Sequence, residues 1–166
     1  MASHWYAVQC KPMEDERAEI NLERQGFDVF RPRARVRKRQ RGRMVTREES
    51  LFPRYLFLAL EPGVDNYYPI RSTRGVLGLV RFGMYPTPVP DTVIDYIRER
   101  TDPVTRCVDL IRRDEFKPNQ KVKILDGPFA GYDALFLRRT GEERVMVLLE
   151  VMKQPQRLQL PEAAIR

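Results

Sequence analysis

A chain of 166 residues, 42% of them hydrophobic, can bury a core, and its length suits one domain plus a small module rather than two full domains. Its 30 Lys and Arg against 23 Asp and Glu give a net charge of +7, which favours polyanions and above all nucleic acid. No apolar leader occurs, and no apolar run approaches the roughly 20 residues needed to cross a bilayer, so we expect a cytoplasmic protein without membrane contact.

Catalytic and metal chemistry is not indicated. The single histidine, His4, and two distant cysteines, Cys10 and Cys107, provide neither a zinc site nor a disulfide framework. The sequence contains no P-loop, no dinucleotide-binding glycine motif, no Ser/His/Asp set and no paired-carboxylate motif. We therefore expect no metal, no cofactor and no enzymatic activity.

The first thirty residues predict a strand, a helix and a second strand. Residues 4–10 are rich in aromatic and apolar side chains, so they predict a strand that places Lys11 at its end. Residues 13–25 carry a thin apolar stripe at helical spacing before Gly26, and residues 26–30 alternate apolar with polar side chains.

Residues 31–47 form a basic arm, with nine Lys and Arg and no acidic residue. Arg41-Gly42-Arg43 at its centre predicts the tip of a hairpin. The arm is either solvated or in contact with phosphates, and its one-sided charge favours phosphate contact.

Residues 51–60 hold a single charge, Arg54, and predict a buried central strand. Because the run is apolar on both faces, each face needs a cover. The alternative is that Phe52, Tyr55 and Phe57 also present one face to another protein.

A loop follows over residues 61–70, where turn formers surround Tyr67 and Tyr68. These tyrosines either face the core or offer a surface to a base or a partner. Residues 71–76 then mix hydroxyl and guanidinium groups that suit base edges or phosphates.

Residues 77–82 predict a short strand closed by Gly83, and residues 91–100 predict a second helix with Val93, Ile94 and Ile97 on one face. Residues 101–115 show no sustained periodicity and predict a linker.

The last fifty residues allow two interpretations. Residues 120–125, the turn at 126–131 and two later runs suit a small barrel of short strands. Residues 132–139 and 142–154 equally suit two helices joined at Thr140-Gly141. Such ambivalence is either noise or a sign of two packings with similar free energy.

Five motifs, in this order, resemble the NusG family of transcription elongation factors over nearly the whole chain. They are Trp5-Tyr6, residues 51–57, residues 72–76, residues 80–83 and residues 127–131. Cys10-Lys11, residues 22–25 and Gly141-Glu142 with Arg144 resemble the RfaH branch of specialised antitermination factors.

The resemblance implies an α+β fold. Residues 1–100 would form an N-terminal domain with an antiparallel sheet flanked by helices, and residues 101–115 a linker. Residues 116–166 would form a KOW-type C-terminal domain, which is an α-helical hairpin when closed and a five-stranded β-barrel when released.

The resemblance also implies partners. A monomer would bind the clamp helices of the largest RNA polymerase subunit through an apolar patch and read the non-template DNA strand with a basic face, suppressing pausing and termination at particular operons. The released C-terminal domain would recruit the ribosome through a small-subunit protein. By position, the apolar patch is Phe52, Tyr55, Phe57, Phe82 and Ile94, and the DNA-binding set is Lys11, Arg17, Arg71, Thr73 and Arg74. We add Asn66 and Tyr67, on the neighbouring loop, to the DNA-binding set.

A latch between the two domains is implied as well. Glu49 and Arg144 occupy the positions of its salt bridge, and Phe136, Leu148 and Val151 those of its apolar contacts. We expect such a latch to favour the closed state over the open state by a few kcal/mol of free energy at most.

The sequence departs from the branch at Asn66-Tyr67-Tyr68, where the branch presents a His-Thr-Thr element to the polymerase β subunit. We therefore expect a paralogue of the branch that has a different recruitment element and whose recruitment depends more on charge. Two alternatives remain: a general NusG-type factor whose C-terminal barrel is permanent and binds a termination factor, and a ribosome-associated RNA-binding protein.

Overall fold

The structure is a computed structural model that describes residues 3–111 and 141–153. Within these ranges, no helix is long and apolar enough to cross a membrane.

An antiparallel sheet forms the centre of the molecule. Its strands are β1 (His4–Cys10), β2 (Asp28–Phe30), β5 (Tyr55–Leu60), β6 (Val76–Leu79) and β7 (Pro88–Val89). They lie in the order β2-β5-β1-β6, and β7 pairs with the start of β1. The predicted antiparallel N-terminal sheet is confirmed.

Strand β5 is central, as predicted, but it begins at Tyr55 rather than at residue 51. Pro53 lacks an N–H for the ladder, and Arg54 has a φ of 73°, so residues 51–54 turn before the strand starts. Leu56, Leu58 and Leu60 face one buried cluster and Phe57 the other. The expected cover on each face is therefore present.

Helices supply these covers. Helix α1 (Asp15–Arg24) buries Ala18 and Leu22 on one face of the sheet, and α3 (Asp91–Glu99) buries Val93, Ile94 and Ile97 on the other. A third helix, α2 (Tyr68–Arg71), replaces the end of the loop predicted over 61–70. Pro69 in its first turn favours the helix, and Ile70 anchors it in the core.

The basic arm forms a hairpin of β3 (Arg33–Gln40) and β4 (Arg43–Ser50), paired in register over eight residues. Arg41 and Gly42 have φ values of 51° and 78°, as a two-residue hairpin turn of the I′ type requires. The predicted hairpin tip is confirmed.

The stretch predicted as a linker contributes β8 (Val108–Asp109), which pairs in parallel with Ala34 and Arg35. Cys107 and Val108 are buried and residues 109–111 are half-buried, so residues 107–111 are packed rather than free. The pairing is remote in the sequence and only two residues long, which is why periodicity did not reveal it.

Of the two interpretations of residues 142–154, the structure has the helix, α4 (Gly141–Lys153). The predicted segments at 120–125, 126–131 and 132–139, and with them Phe136, lie outside the described residues.

Candidate functional site

The apolar patch expected to bind polymerase is largely buried in this chain. Phe52, Phe57 and Ile94 are at most 1% exposed, Tyr55 is half-buried, and only Phe82 is exposed, at 40%. Phe52 and Phe57 meet edge to face with ring centroids 5.9 Å apart. Apart from Phe82, the patch is thus part of a packed core rather than an open surface.

Helix α4 contributes to the cover. Val147, Leu148, Val151 and Met152 are all buried, and they belong to the same apolar cluster as Phe52, Phe57 and Ile94. Leu148 and Val151 therefore lie where the implied latch places its apolar contacts.

The first turn of α4 rests on the turn before β5. A Cβ at Gly141 would lie 2.5 Å from Cγ of Pro53, so only glycine fits here without a shift. Arg144 is 2% exposed, and its Nε donates to the carbonyl oxygen of Leu51 at 2.7 Å. A buried guanidinium requires such partners, because leaving it unpaired would be costly.

Glu49 supplies the countercharge. Its Oε2 accepts a hydrogen bond from Nη2 of Arg144 at 2.7 Å, and its Oε1 lies 2.6 Å from Nζ of Lys38. Burial of the carboxyl group raises the pKa of Glu49, but hydrogen bonds and charge from Lys38 and Arg144 outweigh it, so the pKa is lowered. The carboxylate stays ionised and links β3, β4 and α4.

Four members of the implied latch are thus in place. Glu49, Arg144, Leu148 and Val151 join α4 to the N-terminal sheets, whereas Phe136 lies outside the described residues. That they act as a latch stays a prediction.

Residues expected to bind DNA gather around Gly75. The N–H of Lys11 donates to the Gly75 carbonyl at 2.8 Å, and a Cβ at Gly75 would lie 2.9 Å from the backbone nitrogen of Ala18. The end of β1, helix α1 and the loop before β6 therefore converge. Lys11, Arg17, Arg71 and Arg74 are exposed at this convergence, which we call the Gly75 surface.

Thr73 is placed differently from its neighbours. It is 7% exposed, and its hydroxyl donates to the Pro69 carbonyl at 2.8 Å and accepts from Nε2 of Gln25 at 2.7 Å. Its hydroxyl is thus occupied within the protein, which suits positioning of the loop better than direct contact with DNA.

Tyr67 and Tyr68 stack on one another, with ring centroids 5.6 Å apart and planes 14° apart. Tyr67 is 39% exposed and Tyr68 81%, and Asn66 is exposed beside them. Tyr67 and Arg71 also line an open depression of about 330 Å³, together with Ile70, Leu77, Gly78, Leu79 and Arg81. Aromatic and guanidinium groups at one depression suit a stacked base.

Several contributors to these sites were not predicted. Lys38 and the Leu51 carbonyl reach Glu49 and Arg144 only through folding, and Arg81 joins the depression the same way. Val147 and Met152 could have been predicted from the apolar periodicity of the helix, since they share the helical spacing of Leu148 and Val151. Among the described residues, no group of three or more His, Cys, Asp or Glu is placed to hold a metal ion.

Comparisons with known proteins agree on one family. Residues 3–98 match the family model NusG, described as transcription termination factor NusG. The transcription termination/antitermination protein NusG of Thermus thermophilus is 26% identical, over 90% of this chain and 91% of that protein. Its namesake from Lactococcus lactis is 28% identical, over 87% and 82%.

A solved structure described as domain interaction in Thermotoga maritima NusG is 28% identical and covers 79% of this chain and 77% of that one, with a TM-score of 0.41. The family model spans more than half of the chain. The protein therefore belongs to the NusG family.

Proposed function

We propose that this protein is a transcription elongation and antitermination factor that binds RNA polymerase and is held closed by its own C-terminal helix. Family membership and the names of its relatives support the general role. The observation that carries the closed state is the buried Arg144, which binds Glu49 while α4 covers the cluster of Phe52 and Phe57.

The apolar patch is the polymerase contact in this proposal, and the clamp helices of the largest subunit are its partner. Phe52, Phe57 and Ile94 cannot reach a partner while they are buried, so α4 has to leave first. A ligand that binds only the open form shifts the equilibrium by about 2.7 kcal/mol at a hundred times its Kd. A latch worth a few kcal/mol is therefore open to displacement by polymerase and DNA together.

The Gly75 surface is the proposed contact for the non-template DNA strand. Lys11, Arg17, Arg71 and Arg74 offer phosphate contacts, and Tyr67 beside the depression offers stacking to an unpaired base. Because Tyr67-Tyr68 replaces a polar element of the branch, we infer that base stacking contributes to site recognition here.

Occlusion of the patch by its own chain favours the specialised branch, in which factors act at particular operons. In this proposal the released C-terminal domain refolds to a five-stranded KOW-type barrel and recruits the ribosome through a small-subunit protein. The ambivalent sequence of residues 132–154 supports such a refolding.

A general NusG-type factor with a permanent barrel is the second candidate. The relatives favour it, since the Thermus and Lactococcus proteins compared above are both named transcription termination/antitermination protein NusG. In that case α4 would be unimportant for polymerase binding, and the two candidates give different results in one experiment.

The experiment compares the intact protein with Glu49→Gln in binding to RNA polymerase elongation complexes without a specific DNA element. The substitution removes the countercharge from buried Arg144, so we expect polymerase affinity to rise roughly tenfold or more, since a hydrogen bond to a charged group contributes about 1.5–3 kcal/mol. Fluorescence anisotropy of the labelled protein measures the affinity.

Glu48→Gln is the matched control, because Glu48 is the neighbouring residue, faces the other side of β4 and pairs with Arg33 at 3.2 Å. We expect its affinity to equal that of the unmodified chain. Equal affinities for all three proteins would reject the latch and favour the general factor.

A further inference from the structure

The outer part of the β3–β4 hairpin has no partner among the described strands. Strand β8 pairs only with Ala34 and Arg35, at the base of the hairpin. From Arg37 to the turn at Arg41 and Gly42 the two strands therefore form a ribbon without a further strand beside it.

One face of this ribbon is a row of arginines. Arg33, Arg35, Arg37 and Arg39 alternate along β3, so their side chains point to the same face. Glu48, the acidic residue of β4 on that face, is already bonded to Arg33. The outer members of the row face Thr46 and Met44 instead, as the register shows for Arg37 and Arg39.

The opposite face is basic too. Lys38, Arg43 and Arg47 lie on it, since their register partners are Val45, Gln40 and Val36. Lys38 pairs with Glu49, and Arg47 bonds to Gln40. Among the described residues, none of the exposed arginines near the tip has an acidic partner; they are Arg37, Arg39, Arg41 and Arg43.

This arrangement is more specific than a solvated charged surface. Like charges on neighbouring positions repel one another and destabilise the hairpin, so solubility alone does not explain their concentration. Four of the five cationic residues from 37 to 43 are arginine, whose planar guanidinium binds phosphate with two parallel hydrogen bonds. Successive arginines of the row stand about 6.8 Å apart along β3.

We propose that the β3–β4 ribbon enters a groove of duplex nucleic acid, with phosphates of one strand bound by Arg37 and Arg39 and those of the other by Arg43. A two-stranded β-ribbon fits the major groove of B-DNA, which is about 12 Å wide and walled by phosphates on both sides. A ribbon that is cationic on both faces matches this geometry, whereas a single strand would need only one basic face. The contact is independent of base sequence.

This ribbon site differs from the Gly75 surface in position and in ligand. The Gly75 surface is built by β1, α1 and the loop before β6, and its proposed ligand is a single strand. The ribbon belongs to the other sheet. The ribbon should therefore bind duplex nucleic acid in the absence of polymerase.

The test measures how the intact chain binds a DNA duplex of about 20 base pairs and one of its separate strands. Fluorescence anisotropy gives both affinities over a series of salt concentrations. In the double variant Arg37→Gln, Arg39→Gln we expect the slope of log K against log salt for the duplex to fall by about 1.8, because each lost phosphate contact contributes about 0.9. The slope for the single strand stays as it is.

The control variant Arg24→Gln, Arg106→Gln removes the same charge from exposed positions away from the ribbon. It should leave the duplex slope unchanged, and melting temperatures of all three proteins should agree. An unchanged duplex slope in the ribbon variant overturns the inference, and so does an equal loss in the control, which would show a net-charge effect. An equal loss for duplex and single strand also overturns it, because the ribbon would then follow one backbone rather than enter a groove.

Discussion

Glu49 is the residue at which three elements meet. It lies on β4, pairs with Lys38 on β3 and with Arg144 on α4, and remains one-fifth exposed. The pKa of Glu49 is lowered in the folded chain, so its contribution to stability is present above the pKa of the unfolded carboxyl group and is lost as the pH falls through the folded value. Acid should therefore weaken the ion pair that holds α4 and loosen the packing of α4 against the apolar cluster.

Lys38→Gln tests this dependence on pH. The substitution removes one of the two cations that lower the pKa of Glu49, so we expect the carboxyl group to titrate at higher pH and α4 to loosen at higher pH than in the unmodified chain. NMR can follow the Glu49 carboxyl carbon and the methyl groups of Leu148 and Val151 together. Arg33→Gln serves as the control because Arg33 pairs with Glu48; a shift of equal size there would mean that general charge is responsible.

Local sequence patterns correctly predicted those helices, strands and turns whose formation depends on interactions between residues close in the sequence. Strand β1, helix α1, helix α3 and the hairpin tip follow from periodicity and from the turn residues Arg41 and Gly42. The four-residue α2 and the two-residue β8 were not predicted, because Ile70 and Val108 hold them through contacts remote in the sequence. The candidate site differs from these elements, because the apolar patch as a whole and the latch residues Leu148 and Arg144 were expected from the resemblance to the family and not from any local pattern. They lie far apart in the sequence, so periodicity alone does not join them.

Gly75 is the point on which the packing of α1 depends. Its φ is +90°, and an added Cβ would lie 2.9 Å from the backbone nitrogen of Ala18, so Gly75→Ala adds a steric clash to backbone strain. We expect it to lower the free energy of unfolding by roughly 2–4 kcal/mol, measured by urea denaturation.

Gly63→Ala is the control for Gly75→Ala. Gly63 has a similar φ of +82°, but no atom lies within 4 Å of its added Cβ, so that variant has the backbone strain alone. Equal destabilisation of the two variants would contradict a close packing of α1 against the Gly75 loop.

For the whole molecule, one helix decides which surface is available. Helix α4 buries Val147, Leu148, Val151 and Met152 with the apolar patch, whereas the Gly75 surface and the β3–β4 ribbon are exposed. In the proposed function, nucleic acid would therefore bind the closed protein, whereas polymerase would need the open one. DNA contact would then precede polymerase contact and raise the local concentration of the factor at the transcribing complex.

Hydrogen exchange of the intact chain tests that order. Protection of α4 amides reports the closed state, since exchange requires the helix to open. We expect single-stranded DNA alone to leave the amides of Val147 to Met152 protected and an elongation complex to remove that protection, while Ala7 and Val8 in β1 stay protected throughout. If polymerase binds while α4 is still protected, the polymerase contact lies on a surface that is already exposed in the closed form. The turn after β6 is then the surface to substitute next, because its side chains Phe82, Met84 and Tyr85 are 40–83% exposed.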